Sequence, residues 1–339
     1  MKKTVFVGTF AATALVAGLA NAQSTLEQVI DRGELICGSN TGQVGFGAPD
    51  ADGVWQGFDV GFCRAVAAAI FDDPMAVSFV PLTSQTRFSA LASGEVDVLS
   101  RNTTWTFVRD VDLQFNFAGI NYYDGQGFMV KSDLGVGSAM ELDGATVCIE
   151  TGTTTELNLA DFFRVNGMSY EPVPVDTAAE AQQQYLAGAC DVYTTDVSAL
   201  ASSRASFATP SDHTILPEVV SKEPLGPAVR HGDDNWYDII KWTLMALVAA
   251  EELGVTSENV AELAEGSDVP EINRLLGVEG GFGAMLGLDN EWAARAIAAV
   301  GNYGELFANT IGDNSPIGLE RGMNALFADG GMMYAMPFR

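Results

Sequence analysis

Short apolar runs that end in hydroxyl, amide or charged residues recur along this chain, separated by segments of helical period. Glu95-Val96-Asp97-Val98-Leu99 is one such run, followed by Ser100-Arg101-Asn102-Thr103-Thr104-Trp105-Thr106-Phe107-Val108-Arg109. A short apolar run that stops at polar residues reads as a buried strand. Strands alternating with helices predict a parallel sheet covered on both faces, an α/β fold. In such sheets ligands bind just beyond the carboxyl ends of the strands. The pattern therefore restricts both the fold and the place of a site. Two later stretches, Gly152-Thr153-Thr154-Thr155-Glu156 and Thr194-Thr195-Asp196, also follow apolar strands. Arg109 offers a fork of donors that matches a carboxylate. A lone arginine is usually a solvated surface residue, so Arg109 by itself would carry no inference. The three stretches together supply hydroxyls and amides (Asn102 among them), an anion nest and one carboxylate. That set fits a zwitterion, with its carboxylate on Arg109 and the nest and its ammonium on Asp196.

The first residues bear on compartment. Met1-Lys2-Lys3 is basic, residues 4–20 are apolar and small, and Ala20-Asn21-Ala22 is an A-x-A site. This reads as a secretory signal peptide over 1–22, cleaved after Ala22, with the mature chain in the periplasm from Gln23. An uncleaved anchor would need a longer apolar run. Removing the leader takes Lys2 and Lys3 and no acid, leaving 15 basic against 44 acidic residues, a net charge of −29. So acidic a chain repels nucleic acid and anionic membrane surfaces. It does not exclude an acidic ligand, because a site is set by local charge. The four cysteines, in an oxidising compartment, suggest two disulfides with three possible connectivities. Cys148 and Cys190 read as strand residues of the same half of the chain and are paired here. Cys37 with Cys63 would tie the first strand to the first helix. No C-x-x-C occurs and His213 and His231 stand alone, so neither a metal site nor a cofactor is expected.

Along the chain, helices are predicted over 26–30, 58–70, 85–93 (capped by Ser84 and ended by Gly94), 155–166, 178–187, 197–205, 235–252 and 291–300. Strands are predicted over 34–38, 76–80, 96–99, 145–149, 171–175 and 191–193. Residues 111–131 differ: extended runs flanked by glycines suit a hinge, and 225–230 reads as the chain crossing back. The tail to Arg339 reads as mostly helical. Trp236, Trp242, Trp292 and the Met332-Met333 pair read as core. A mature chain of 317 residues is large for one core, so two lobes are expected.

Several stretches then stand in a familiar order: Gly57-Phe58-Asp59-Val60, Leu91-x-x-Gly94-x-x-Asp97, the 103–109 segment, Gly152-Thr153-Thr154-Thr155-Glu156, and Asp191-x-x-x-x-Asp196. No single one is specific; the ordered set, over residues 34–242, resembles the periplasmic substrate-binding proteins of polar amino acid ABC importers. The C-terminal segment, with Arg321-Gly322-Met323-Asn324 and the 330–339 ending, is similar to a larger subgroup, the general L-amino acid receptors. The resemblance implies a type II periplasmic binding protein-like α/β fold, with two lobes joined by two hinge strands. Residues 23–123 plus 225–339 would form lobe 1, and 124–224 lobe 2. It implies that Arg109 binds the ligand carboxylate, that Thr103 or Thr104 contributes a hydroxyl, and that Thr153 and Thr154 form the second lobe's nest. It places Asp196 on the ammonium and Phe46 near an aromatic wall against the ligand. Gln43 stands where small receptors often carry an acid. Gly61 replaces a common acid on the first helix, a change expected to affect only the surface. Arg101 is an extra cation, either a structural ion pair or a partner for an acidic ligand side chain.

The resemblance implies a monomeric receptor that captures glutamate, glutamine, aspartate or asparagine and docks on an inner-membrane permease with its ATPase. Two other readings share the fold. A periplasmic dehydratase or lyase would need a general acid in the cleft, for which Glu150 and Glu156 are the candidates, although Glu156 is more simply a helix-capping residue. A sensor input protein would carry the same site.

Overall fold

The computed structural model describes residues 23–339; the expected leader and its cleavage site lie outside the described residues. Helix Thr25–Arg32 begins with a reciprocal cap: the Glu27 N–H donates to the Ser24 hydroxyl, and the Ser24 N–H to the Glu27 carboxylate. Strand Leu35–Ser39 follows, then helix Phe58–Phe71, which is buried along most of its length. Gly57 precedes that helix with φ 128°, and a Cβ there would lie 2.3 Å from the Phe46 carbonyl oxygen, so the position requires glycine.

The first sheet runs in the order Val77–Pro81, Leu35–Ser39, Val98–Leu99, Ala228–Arg230, Phe115–Phe117. The second runs Tyr170–Val175, Ala145–Glu150, Val192–Asp196, Gln126–Lys131, His213–Ile215. Three strands of each are parallel, as expected, but each sheet also holds antiparallel strands. The reason lies in the connections. Parallel neighbours need a covering crossover, whereas Gln126–Lys131 and Ala228–Arg230 enter their sheets directly as the chain passes from one lobe to the other. Between the sheets, Tyr122–Asp124 and Glu223–Leu225 pair as an antiparallel ribbon, with Glu223 opposite Asp124 and Leu225 opposite Tyr122.

The main core lies in the first lobe, where Phe58–Phe71 packs against Asp234–Glu252 and Trp292–Val300. Trp236, Trp292 and Met333 are buried in it as predicted. Met332 is instead exposed, and Trp242 only half-buried. Gly61 is not a surface position either. It is buried, and a Cβ there would meet Leu306 Cδ1 at 2.4 Å. The tail is helical only to Thr310; beyond it come short turns that brace the first lobe. The disulfides Cys37–Cys63 and Cys148–Cys190 are both present. Ser84 does not cap a helix: the helix spans Arg87–Ser93 after a turn in which the Thr83 N–H donates to the Thr86 hydroxyl at 3.0 Å.

Gly226 sits where the returning strand passes the outgoing one. A Cβ there would lie 2.1 Å from the Gly119 carbonyl oxygen, so the backbone would have to move. Gly226→Ala is expected to destabilise the protein by about 1–3 kcal/mol, the usual scale of overpacking, seen as a lower urea midpoint.

Candidate functional site

Strand Val98–Leu99 delivers the 100–105 loop to the edge of the first lobe. Buried Asp59, in the first turn of its helix, holds that loop: it accepts from the Ser100 hydroxyl at 3.0 Å, the Asn102 N–H at 3.0 Å and the Asn121 amide at 3.4 Å. Burial nonetheless raises the Asp59 carboxyl above its usual range, against those bonds. Asn102 takes φ 41°, the left-handed region that asparagine tolerates. The loop is also tied to the hinge. The Trp105 N–H donates to the Pro224 carbonyl at 2.8 Å, and the Gly226 N–H to the Thr103 carbonyl at 3.0 Å.

On the second lobe, strand Ala145–Glu150 ends at the start of helix Thr154–Val165. The Thr153 hydroxyl donates to the Glu150 carbonyl at 2.7 Å and accepts from the Glu156 N–H at 3.1 Å. Glu156 accepts from the Gly152 N–H at 3.1 Å, so this acid serves the helix start. Asp196 ends strand Val192–Asp196 and opens helix Val197–Ser206.

These strand ends meet in one polar cavity between the lobes. Gln43, Arg101, Asn102 and Thr104 line it from the first lobe, and Thr153, Thr154 and Asp196 from the second. Thr103, Phe46 and Arg109 do not line it. The Thr103 hydroxyl is turned back onto the Arg101 carbonyl at 3.0 Å, leaving Thr104 as the threonine at the cavity. Phe46 is a core residue, edge-on to Phe58 and to Tyr122 with ring centres 6.2 and 5.6 Å away. Apolar neighbours on several sides hold it there rather than against a ligand. Arg109 is buried just behind the wall. It donates to the Thr104 carbonyl at 2.8 Å, and its guanidinium stands 5.0 Å from the Phe88 ring centre.

The sequence reading missed Arg87 and Ser84, which line the same cavity. Both follow strand Val77–Pro81, so the strand-end rule that singles out the other segments applies here too, but Ser84 also suits a helix cap and that signal hides it. Arg87 is 3 % exposed, and its Nε has no hydrogen-bond partner among the described residues. The Gln43 amide nitrogen and the Asn102 amide nitrogen, also on this wall, are likewise buried donors without a partner there. Arg101 is better held: it donates to the Leu82 carbonyl at 2.8 Å, the Ser84 hydroxyl at 3.1 Å and, across the cleft, Glu150 at 3.5 Å.

The electrostatics follow from burial. Desolvation lowers the pKa of Arg87 well below the ordinary arginine value, helped by Arg101 and Arg109 and opposed by Glu150 and Asp196. Arg101 is lowered by burial too, and Arg109 is pulled to about 10. Asp196, on the facing wall, is pushed well above the usual carboxylate range by burial and by Asp124 and Glu223, while Arg87 and Arg109 hold it down. The first-lobe wall thus carries Arg87 with no salt bridge among the described residues, beside Arg101, which meets Glu150 across the cleft at 3.5 Å, and the facing wall offers an acid raised by its burial. Each is relieved by a charge of the opposite sign, and a zwitterion supplies both.

The lobes are closed on this cavity. Gln85 donates to the Thr151 hydroxyl at 2.5 Å and to Asp176 at 3.0 Å, and the Ser202 hydroxyl to the Val44 carbonyl at 2.5 Å. No helix among the described residues is long and apolar enough to cross a membrane.

Comparison with known proteins gives a consistent result. The family model for bacterial extracellular solute-binding proteins, family 3, matches residues 35–259. The glutamate/glutamine/aspartate/asparagine-binding protein BztA of Rhodobacter capsulatus is 62% identical over 339 residues, covering 100% of each chain. The general L-amino acid-binding periplasmic protein AapJ of Rhizobium johnstonii is 53% identical over 342 residues, again covering 100% of each chain. Among solved structures, an ABC transporter periplasmic binding protein from Brucella ovis with glutathione bound superposes with a TM-score of 0.92 at 53% identity, over 94% of this chain and 100% of that one. These relatives are solute-binding proteins rather than enzymes. A family model matched over residues 35–259, with relatives alike from end to end and a fold of two α/β lobes, shows that the chain belongs to the bacterial extracellular solute-binding proteins, family 3.

Proposed function

We propose that this chain is a periplasmic receptor that captures a polar L-amino acid, with glutamate, glutamine, aspartate and asparagine as its set. It would close lobe 1 (23–123 with 225–339) on lobe 2 (124–224) around that ligand. It would then deliver the ligand, as a monomer freed of its leader after Ala22, to an inner-membrane ABC permease and its ATPase. The observation that carries this reading is the opposition of charge across one cavity. Arg87 and Arg101 stand on the first lobe, and Asp196 stands on the second beside the Thr153–Thr154 helix start.

The roles follow from the donors and acceptors present. Asp196 takes the ammonium. The free N–H groups at the start of helix Thr154–Val165 suit a carboxylate, since a helix N-terminus favours negative charge. Arg87, with Ser84 beside it, takes a carboxylate or side-chain amide oxygen. Arg101, already bonded to Leu82 and Ser84, fixes the wall and adds its charge. Arg109 supports Thr104 through its carbonyl and contributes field from behind. Closure is favoured because a single ligand contacts both lobes, so it binds the closed form better than the open one. The names of BztA and AapJ support this ligand class, and their likeness to this chain runs end to end.

The decisive test is a thermal-shift screen of residues 23–339 against the twenty L-amino acids and glutathione, with glucose and spermidine as controls, repeated after unfolding and refolding to clear retained ligand. A ligand that binds only the native state raises the midpoint. Polar L-amino acids should raise it and the controls should not; a flat response after refolding overturns the reading. Asp196→Asn should abolish most of the shift while leaving the unliganded midpoint near wild type. Arg87→Gln should separate function from stability. It should weaken binding by roughly 2–5 kcal/mol, the scale of truncating one partner of a buried charge pair. Without ligand the variant should be about as stable as wild type, because among the described residues the buried Arg87 guanidinium has no salt bridge or hydrogen bond and only the Phe88 ring, 4.9 Å away, to offset its burial. Calorimetric titration and urea unfolding measure the two.

A further inference from the structure

Glu223 lies on the returning hinge strand, 1 % exposed, at the edge of the site. Its Oε2 accepts from the Thr104 hydroxyl at 2.6 Å and the Thr154 hydroxyl at 2.8 Å. Its Oε1 accepts from the Asn158 amide at 2.7 Å and the Ser221 hydroxyl at 2.7 Å. Four donors fill the acceptor sites of one carboxylate. Thr104 comes from the first lobe, Thr154 and Asn158 from the second, so this acid joins the two across the hinge.

The consequence concerns protons. A threonine hydroxyl has one proton to donate and two lone pairs. The Thr104 and Thr154 oxygens are 3.3 Å apart and could bond to each other. The shorter bonds to Glu223 take both protons instead. Thr104, Thr154 and Asp196 all line the cavity. Toward the ligand, Thr104 and Thr154 therefore present lone pairs, and an ionised Asp196 presents only acceptors as well.

We infer that Glu223 is a positioning residue that takes the hydroxyl protons of Thr104 and Thr154, and so turns this threonine pair into an acceptor site for the ligand's ammonium. An ammonium carries three donors and no acceptor, which matches the two hydroxyl oxygens and Asp196. A carboxylate would meet lone pairs here and is directed to Arg87 or to backbone N–H groups. Because Thr104 and Thr154 belong to different lobes, this three-acceptor set is complete only when the lobes are together. The ammonium thus selects the closed form as well as the orientation of the ligand. The inference rests on the amino acid reading of the cavity and deepens it.

The test compares ligands with and without the amino group. Wild type and Glu223→Gln, each as residues 23–339, are titrated calorimetrically with L-glutamate and L-glutamine and with their analogues lacking the amino group, glutarate and glutaramate. A glutamine at 223 has one acceptor and one donor end, so its amide N–H meets a threonine oxygen and turns a hydroxyl proton toward the cavity. The variant should lose about tenfold or more in affinity for the amino acid, the scale of a hydrogen bond to a charged group. Its affinity for the analogue should change little, so the preference for the amino group narrows. Equal losses for both ligands mean a purely structural role, and unchanged preference means none; either overturns the inference. If Glu223→Gln does not fold, Thr154→Val must show the same selective loss, and an unselective loss overturns the inference equally. A wild type that binds none of these ligands overturns the amino acid reading itself, and this inference with it.

Discussion

Both lobes hang on one short antiparallel ribbon, Tyr122–Asp124 against Glu223–Leu225. Only a few residues link the lobes, so their relative placement is set by that pairing and by what is bonded to it. The 100–105 loop is bonded to it through Trp105 and Thr103, so the loop that carries Arg101, Asn102 and Thr104 shares its frame with the hinge. The C-terminal segment braces the same ribbon. The Tyr303 hydroxyl donates to the Asn121 carbonyl at 2.9 Å, and the Asn324 side chain accepts from the Tyr123 N–H at 2.7 Å and donates to the Tyr123 carbonyl at 3.1 Å. Arg321 holds that turn against Glu251 with two bonds, at 2.9 and 3.1 Å. The extension beyond the family-matched region thus stiffens the hinge from behind.

The site built on this frame is costly to the protein alone. Three arginines are lowered chiefly by burial, Arg87 further by Arg101 and Arg109 and Arg109 further by Arg101, and Asp196 is raised by burial and by neighbouring acids. Such groups are tolerated where a ligand completes them. The proposed zwitterion would meet both walls, with its negative end at Arg87 and its positive end at Asp196. The hydroxyls serve a second purpose. Held by Glu223, they give the cavity a fixed polarity of lone pairs, where free rotors would adapt to either end of a ligand.

Much of the fold was legible because the apolar patterning is strong. Helix Ala178–Ala187 falls on its predicted bounds, and helices Asp234–Glu252 and Val197–Ser206 lie within a residue of theirs. The site was half legible. Gln43, Arg101, Asn102, Thr104, Thr153, Thr154 and Asp196 meet at the cavity, since each follows a strand end or a Gly-rich loop. Phe46 is set near the ligand by the resemblance alone, and no local feature of its glycine-rich loop tells a ligand-facing ring from a core one. In the fold its ring closes the core beside Phe58 and Tyr122. Arg87 was passed over because Ser84 so readily suggests a helix cap, and the helix starts two residues later than that cap would require. Glu223 gave no signal at all, being one acid in a proline-containing stretch.

The sequence alone determined what local chemistry decides: the alternation of strands and helices, the strand-end segments rich in hydroxyls, and the Gly-flanked crossings. These depend on periodicity and on residue type, which act over a few positions. Tertiary structure decided what depends on distance between remote segments. It set the antiparallel entry of each crossing strand and the gathering of Arg87, Arg101 and Arg109. It also set the meeting of Thr104, Thr154 and Glu223, which are 50 and 69 positions apart in the chain. A hydrogen bond or a Coulomb interaction acts over ångströms, and no spacing along one chain reveals which residues the hinge will bring that close.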